Sequence, residues 1–494
     1  MAGIPAISFA QISLSPENMG LGGGGTSYST GYEALFINPA NLHIRERDYR
    51  VQFGFAQVGA QYTAPLFISH ELDRLNTFSR GLKGFNPEIN QISDEQRESI
   101  ISRNFDDEAS SADFLSQGEI YWFGIKWISD ERSYAIALRS RFASRFTVGR
   151  GFYDPVPVET NGQQILDNSL THNYQSLHEL SFGYSDTFSL LSGIFPQMSE
   201  FVIGLAPKIV VSGASLSVNH TDRIERETNG EIWTRSTDFS HQSSGAYSVA
   251  AEGFMNRGVA DTETLSAFDN NNLFRPTGIG VGIDFGLTYL ITFGDDFSQI
   301  RRTDETTDKS LRLSFSVTDL GAIHYFDDLL TVSVPPEEQP AFLSAQPSDS
   351  YFSGTPGQYL FFLDQEENHP LRSVESRKRG VYQKMLPTAL NAGTLIQFDR
   401  LKVMGDFRLG LNNDAFITPK FASYLGMELR PLSFLPLRAG MRIATDSMDY
   451  FTLGAGINTR YFDINSGVKL RTDTDDAPLE VAAASFVALK FYIP

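Results

Sequence analysis

The sequence predicts an all-β protein, a 14-stranded antiparallel transmembrane β-barrel with an N-terminal lumen hatch and long extracellular loops. Three observations predict it. Apolar and polar residues alternate with period two over most of the 494 residues, which is the signature of strands with two different faces. No apolar run approaches the roughly 18 residues that a membrane helix needs, and mean hydropathy is only −0.20 despite 39 Phe and 19 Tyr. Long and short connections alternate along the chain, as in outer-membrane barrels, whose periplasmic turns are short and whose extracellular loops are long.

The chain begins with two short regions ahead of the barrel. Residues 1–10, MAGIPAISFA, are apolar and end in the small-x-small form of a cleavage site at Ser8 and Ala10. They fit the tail of a signal sequence, and an ordinary N-terminus fits them equally. Residues 11–47 contain Gly20, Gly22, Gly23, Gly24, Gly25 and Gly31, followed by Asn38-Pro39-Ala40. Consecutive glycines let a backbone pass close to surrounding walls, so the expected place of this region is the barrel interior, as a hatch. Pro39 restricts Asn38 to extended geometry, which suits a cap or turn just before the first strand. Gating is expected to rest on Gly22, Gly23, Gly24, Gly25, Asn38, Pro39 and Ala40, although a simple turn also accounts for the tripeptide.

The barrel is expected over 48–494, with strands at 48–64, 117–129, 132–147, 174–187, 200–218, 277–293, 310–325, 386–398, 400–410, 416–430, 436–445, 449–459, 461–471 and 482–493. The even number brings both ends of the barrel to one side. Extracellular loops are expected at 65–116, 148–173, 219–276 and 326–385. Within them, 94–105 has a helical pattern capped by Ser93, and Gly230–Phe239 with Ala246–Phe254 form a candidate strand pair above the membrane. Acidic groups such as Asp327, Asp328, Glu337 and Glu338 fall in these loops, where a hydrated surface accounts for them. No twelve-residue calcium loop is present.

Face assignment follows from the alternation. Tyr121, Phe123, Trp127, Tyr134, Phe142, Phe285, Tyr289 and Phe462 are expected to face lipid. Arg139, Arg141, Asp284, Lys402, Asp406, Arg408, Arg438, Arg442 and Asp463 are expected to be lumen charges, the cations pairing with Asp284, Asp406, Asp463 or hatch carboxylates such as Glu33. Charges withdrawn from water must be compensated. Gly278, Gly280, Gly282 and Gly286 are expected to be small inward residues that leave room for a plug.

Composition narrows the chemistry. With 40 Lys plus Arg against 59 Asp plus Glu, the net charge is −19, and so acidic a surface argues against nucleic acid. Zero cysteines exclude disulfides, thiolate metal sites and Cys nucleophiles. The eight histidines show no metalloenzyme spacing, and neither a nucleophile elbow nor a phosphate-binding loop occurs. No enzyme activity, metal or cofactor is expected.

The Gly-rich GLGG stretch, followed by Asn-Pro-Ala and then the first strand, resembles the N-terminus of the FadL family of outer-membrane hydrophobe transporters and its PorV-type relatives. TGIGVGIDFGLTY at 277–289, LSFSVTDLGAIHY at 313–325 and LPTALNAGTL at 386–395 resemble an uncharacterised FadL-related group common in Bacteroidota. The resemblance implies a 14-stranded barrel in the outer membrane with its N-terminal segment folded inside. It also implies passive uptake of a hydrophobic or amphipathic small molecule, or, in PorV fashion, a sealed barrel that binds secreted or surface proteins. Two features depart from the family: the inward faces are rich in Arg and Asp, and the chain ends Phe491-Tyr492-Ile493-Pro494. A continuous apolar pocket from loops to hatch would favour uptake, and an ion-paired, plugged lumen with an ordered loop surface would favour the sealed barrel.

Overall fold

The computed structural model describes residues 13–46, 49–63, 98, 101–102, 105, 110–129, 132–154, 156–187, 200–227, 230, 232–249, 251, 275–292, 309–341, 382–444, 450–471 and 480–494. Residues 1–10 lie outside that range.

Nineteen strands form among the described residues: β1 (Val51–Thr63), β2 (Ser111–Ile128), β3 (Arg132–Gly149), β4 (Val158–Thr160), β5 (Gln163–Asp167), β6 (Leu170–Thr187), β7 (Glu200–Glu227), β8 (Trp233–Ser244), β9 (Gly278–Thr292), β10 (Lys309–Tyr325), β11 (Leu329–Ala341), β12 (Tyr382–Met385), β13 (Ala389–Phe398), β14 (Leu401–Gly410), β15 (Phe421–Leu432), β16 (Leu435–Ala444), β17 (Tyr450–Asn458), β18 (Phe462–Arg471) and β19 (Glu480–Ile493). Fourteen of them, β1, β2, β3, β6, β7, β9, β10 and β13 to β19, pair antiparallel in that order. β19 returns to β1 with Val51 opposite Ile493, which closes the barrel.

The remaining strands stand at the long-loop end. β4 and β5 form a hairpin that adds to the far end of β7, and β7, β8 and β11 continue the same sheet. This is why β7 runs to Glu227, beyond the expected 218. The expected pairing of Gly230–Phe239 with Ala246–Phe254 does not form, because β8 takes β7 and β11 as its partners and residues 246–249 make a helical turn. Of the 94–105 segment, Glu98, Ile101 and Ser102 are helical and Phe105 N donates to Ile101 O at 3.0 Å; the rest lies outside the described residues. Residues 416–420 turn inward and are not strand, because Asp414 Oδ1 accepts from Phe416 N at 2.7 Å and Ile417 N at 3.0 Å.

Side chains alternate across the wall, with apolar groups such as Phe55, Leu205, Ile209, Phe407, Leu425 and Leu453 exposed outside and charged or amide groups buried inside. That is the inverse of a water-soluble barrel. Phe123, Trp127 and Phe285 are exposed on the outer face, and Tyr134, Phe142, Tyr289 and Phe462 are half-buried in the same outward set. Tyr121 is a correction: it faces the interior at 1% exposure. A β-bulge between Tyr121 and Phe123 puts Trp122 and Phe123 on the same side and reverses the alternation below it. A second bulge, between Val317 and Leu320, turns Asp319 (φ 59°) into the lumen.

A charge placed on the outer set is expected to destabilise the barrel. Leu425→Arg, midway along β15, should cost on the order of 2–4 kcal/mol in a bilayer. Folding titrations in lipid vesicles would show it, and a cost near zero would place β15 outside the hydrocarbon.

Candidate functional site

Inside the barrel lies the segment 13–46, and its local structure follows from its sequence. Ser15 accepts a hydrogen bond from Asn18 N at 3.4 Å and Pro16 opens a short helix, α1 (Pro16–Gly20). Gly22, Gly23 and Gly25, with φ of 84°, 91° and 132°, then reverse the chain. A 3₁₀ turn (Tyr32–Phe36) leads to Asn38, extended as the residue before a proline, whose Oδ1 accepts from Ala40 N at 3.2 Å and caps a second turn (Pro39–His43). Nearly every residue of the segment is buried.

The wall makes room for it with glycines. A Cβ at Gly54 or Gly124 would meet the Tyr32 ring, one at Gly204 would meet Pro39 and Ala40, and one at Gly440 would come within 2.3 Å of Gly22 N. Of the four β9 glycines, Gly286 alone abuts the segment, 2.0 Å from Asn38 Oδ1 by the same measure. Gly282 instead faces Leu386 and Lys208, and Gly278 and Gly280 pack on Ile323.

Polar contacts fasten the segment to the wall. Asn38 Nδ2 donates to Thr288 Oγ1 at 3.0 Å and to Thr26 O at 3.1 Å. Asp406 on β14 accepts from Gly25 N at 2.6 Å, Thr26 N at 2.9 Å and Ser27 Oγ at 2.7 Å. Gly22 N donates to Thr452 Oγ1 at 2.8 Å, and Gly24 lies against Asp406 and Met404. Lys490 pairs with Glu33 at 2.7 Å and Glu17 at 3.0 Å. Lys402 and Arg312 hold Glu46 at 2.8 Å and 3.1 Å, so that although burial opposes ionisation the Glu46 carboxyl sits below the usual carboxylate range. Burial outweighs the help of Lys490 at Glu33 and raises it.

Directly above the segment is a lattice of charges. Arg139 bridges Glu119 at 3.0 Å and Glu179 at 2.5 Å, and Arg141 bridges Glu179 at 2.6 Å and Asp319 at 2.8 Å. Lys208 joins Asp284 at 2.7 Å and Asp319 at 2.5 Å. The Arg139 guanidinium lies 4.0 Å from the Phe36 ring, which seats the lattice on the segment. Elsewhere Arg438 pairs with Glu428 at 2.7 Å, and Asp463 accepts from Tyr492 Oη at 2.7 Å.

All nine sequence-assigned lumen charges are thus buried inside the barrel, but several partners differ from expectation. Glu119, Glu179, Asp319 and Glu428 compensate the arginines, Asp284 serves Lys208, Asp406 serves backbone N–H groups, and Glu33 serves Lys490. Strand alternation identifies which residues point inward and says nothing of which strands face each other across the lumen. Lys208, Arg312 and Lys490 carry a local signal that finds such residues: each is a charge flanked on both sides by apolar residues within a strand.

The family model for the family of unknown function DUF5723 matches residues 74–466. The chain belongs to this family. No curated protein matches it. Among solved structures, the Ralstonia pickettii toluene transporter TbuX is similar at a TM-score of 0.44 and 9% identity, over 98% of this chain and 99% of that one. The P. putida toluene transporter TodX gives 0.38 and 10% over 98% and 99%, and a Pseudomonas aeruginosa FadL homologue 0.36 and 10% over the whole of both chains.

Two measurements address how this DUF5723 chain holds its inner segment. Asp406→Asn replaces an acceptor for three donors with a partial donor, and is expected to loosen the segment by on the order of 3 kcal/mol while the barrel stays folded. New protease cleavage between residues 13 and 46 would report it; an unchanged digest would mean that the other contacts suffice. The second is pH. Burial, aided by Lys126 and Arg45, pushes the His43 imidazole down to about 4 from 6.5, so the seated segment favours the neutral ring. Seating should be complete above pH 6.5 and weaken as pH falls towards 4. His43→Gln should flatten that part of a protease-accessibility profile, and identical profiles would show that His43 does not contribute.

Proposed function

We propose that this protein is an outer-membrane barrel in which residues 11–47 act as a hatch, closing the pore at rest and shifting to admit a small amphipathic solute without an energy source. The observation that carries the reading is the manner of closure. One segment, continuing into β1 at its C-terminal end, lies within the ring of strands, where Leu35, Phe36 and Leu42 pack against Tyr121, Ala137 and Ala206 and where hydrogen bonds and ion pairs that water can replace fasten it. The apolar outer face and polar interior support a bilayer as the surroundings, so outer-membrane lipid is one partner and the solute the other. No catalytic step is part of this reading.

The second reading is a sealed barrel that binds a secreted or surface protein. A specific observation favours it: among the described residues the lumen is a charge lattice and not a continuous apolar conduit, and β4, β5, β7, β8 and β11 build an ordered sheet at the long-loop end. The amphipathic end of the solute range is preferred here for the same reason, since a purely apolar molecule would have to cross the Arg139–Asp319 lattice.

Deleting residues 11–36 is expected to leave a folded barrel, because the strand ladder closes without them, and to raise ion conductance in a planar bilayer. Cross-linking a Glu33→Cys, Lys490→Cys variant with a short bifunctional thiol reagent, specific in a chain with no native cysteine, should lower conductance and solute uptake together. Uptake that persists in the cross-linked protein would sink the hatch reading. Raised conductance after deletion, with no uptake by the intact protein, would transfer the preference to the sealed barrel.

A further inference from the structure

We propose that the short-turn end of the barrel carries a binding arc for the headgroups of acidic glycerophospholipids, built on Arg50, Arg400 and Arg460. This rests on the outer-membrane reading and adds to it which lipid the wall selects, and where.

The arc comes from a pattern repeated once per hairpin. The β13–β14, β15–β16 and β17–β18 connections each bring an arginine together with an exposed aromatic: Arg400 with Phe398, Arg430 with Phe434, and Arg460 with Tyr461. Arg50 stands at the entry to β1. Backbone hydrogen bonds join these places into one stretch of rim. Arg430 N donates to Arg400 O at 2.9 Å, Asn458 N to Phe434 O at 2.7 Å, Tyr492 N to Tyr461 O at 2.9 Å, and Arg50 N to Ile493 O at 2.9 Å. The arginines are therefore set on the ladder itself, from β14 through the closure of the barrel to β1.

Charge is the observation that points to a ligand. Arg50, Arg400 and Arg460 are exposed, and none has a carboxylate at ion-pair distance among the described residues. Arg400 Nη1 donates to the Pro431 carbonyl at 2.9 Å, and the Arg460 guanidinium lies 5.8 Å from the centre of the Tyr461 ring. Arg430 differs, since Glu428 takes it at 2.9 Å. Asp399 is the one exposed Asp or Glu side chain among the described residues of this stretch. In a chain of net charge −19 such a cationic surplus runs against the overall balance, and the long-loop end exposes Asp328, Glu337 and Glu338 instead.

The apolar flank identifies the anion as part of a lipid. Phe398, Phe434 and Tyr461 are 45%, 46% and 60% exposed, with Leu432 and Ile493 exposed beside them. Such a belt marks the depth at which hydrocarbon gives way to headgroups. An arginine next to it lays its stem along apolar surface and holds its guanidinium at the level of the lipid phosphates. A soluble anion would gain nothing from that flank. The planar fork of a guanidinium suits a phosphate diester. A zwitterionic headgroup carries its own ammonium against that phosphate, so cations without a carboxylate favour a headgroup of net negative charge.

Electron spin resonance on the full-length protein in phosphatidylcholine vesicles, doped with spin-labelled phosphatidylglycerol or spin-labelled phosphatidylcholine, reads which lipid the wall holds. Phosphatidylglycerol is expected to be selected at least about threefold over phosphatidylcholine, with a selectivity that shrinks as salt is added. The combined Arg50→Gln, Arg400→Gln, Arg460→Gln variant should abolish it. Arg275→Gln, at the long-loop end where Arg275 pairs with Asp327 at 2.7 Å, should leave it unchanged. Equal association of the two lipids, a selectivity that survives the triple variant, or one lost equally in Arg275→Gln would overturn the proposal. Soluble glycerol phosphate that erases the selectivity, where chloride of the same ionic strength does not, would assign the arc to a free anion and overturn it too. If the triple variant does not fold, the three single variants decide: each should lower the selectivity part-way, and no change in any of them sinks the arc. Flotation with the vesicles scores insertion separately. Insertion without selectivity strikes the arc and leaves the membrane reading standing, whereas failure to insert in any bilayer strikes both.

Discussion

A charge buried inside a lipid-facing wall cannot be left to water, and that constraint organises this molecule. Because the outer face is apolar, the polar half of every strand is forced inward, and closure of β19 on β1 gives those groups a confined space. More than a dozen ionisable side chains meet there. The Arg139, Arg141, Lys208 lattice with Glu119, Glu179, Asp284 and Asp319 is the consequence. It ties β2, β3, β6, β7, β9 and β10 to one another across the lumen, beyond the backbone ladder that already joins them in sequence.

The N-terminal segment is the second answer to the same constraint. A barrel of fourteen strands is too wide for its own side chains to fill, and residues 13–46 occupy the space with backbone as much as with side chain. Backbone N–H and C=O groups in such a place need partners, which Asp406, Thr452, Gln52, Lys126 and Ser316 provide from the wall. Glycines occur on both sides of the contact for a steric reason. At Gly440 the segment's own backbone, at Gly22, lies where a Cβ would be. The fit brings two main chains together, and apolar packing of Tyr32, Leu35, Phe36 and Leu42 against Tyr121, Ala137 and Ala206 adds to its polar contacts.

The same logic sets the character of the interior. A conduit for purely apolar molecules would present continuous apolar surface, whereas here the apolar cluster around Phe416 is small and sits above a layer of ion pairs. Arg139, Arg141, Lys208, Arg438 and Lys490 each have a carboxylate within 3.0 Å.

What the sequence determined by itself was whatever depends on periods and local chemistry. Period-two alternation located all fourteen barrel strands, because the side-chain period of a strand is fixed by its covalent geometry, and it assigned the inward faces of Arg139, Asp284, Asp406 and Arg442. The glycines at 22–25 and Asn38-Pro39 were legible as backbone devices, because glycine opens positive φ and proline fixes φ whatever surrounds them. Tertiary structure alone decided the rest. Tyr121 faces inward because a bulge, set by pairing with β3, inserts one residue into the count. Arg141 meets Asp319, 178 positions away, because ring closure brings β3 and β10 to face each other across the lumen. The extension of β7 arose because a loop hairpin from β5 and the strand β8 supplied it with edges to pair with. Contacts across a lumen depend on closure, and no local pattern encodes which residue lies opposite.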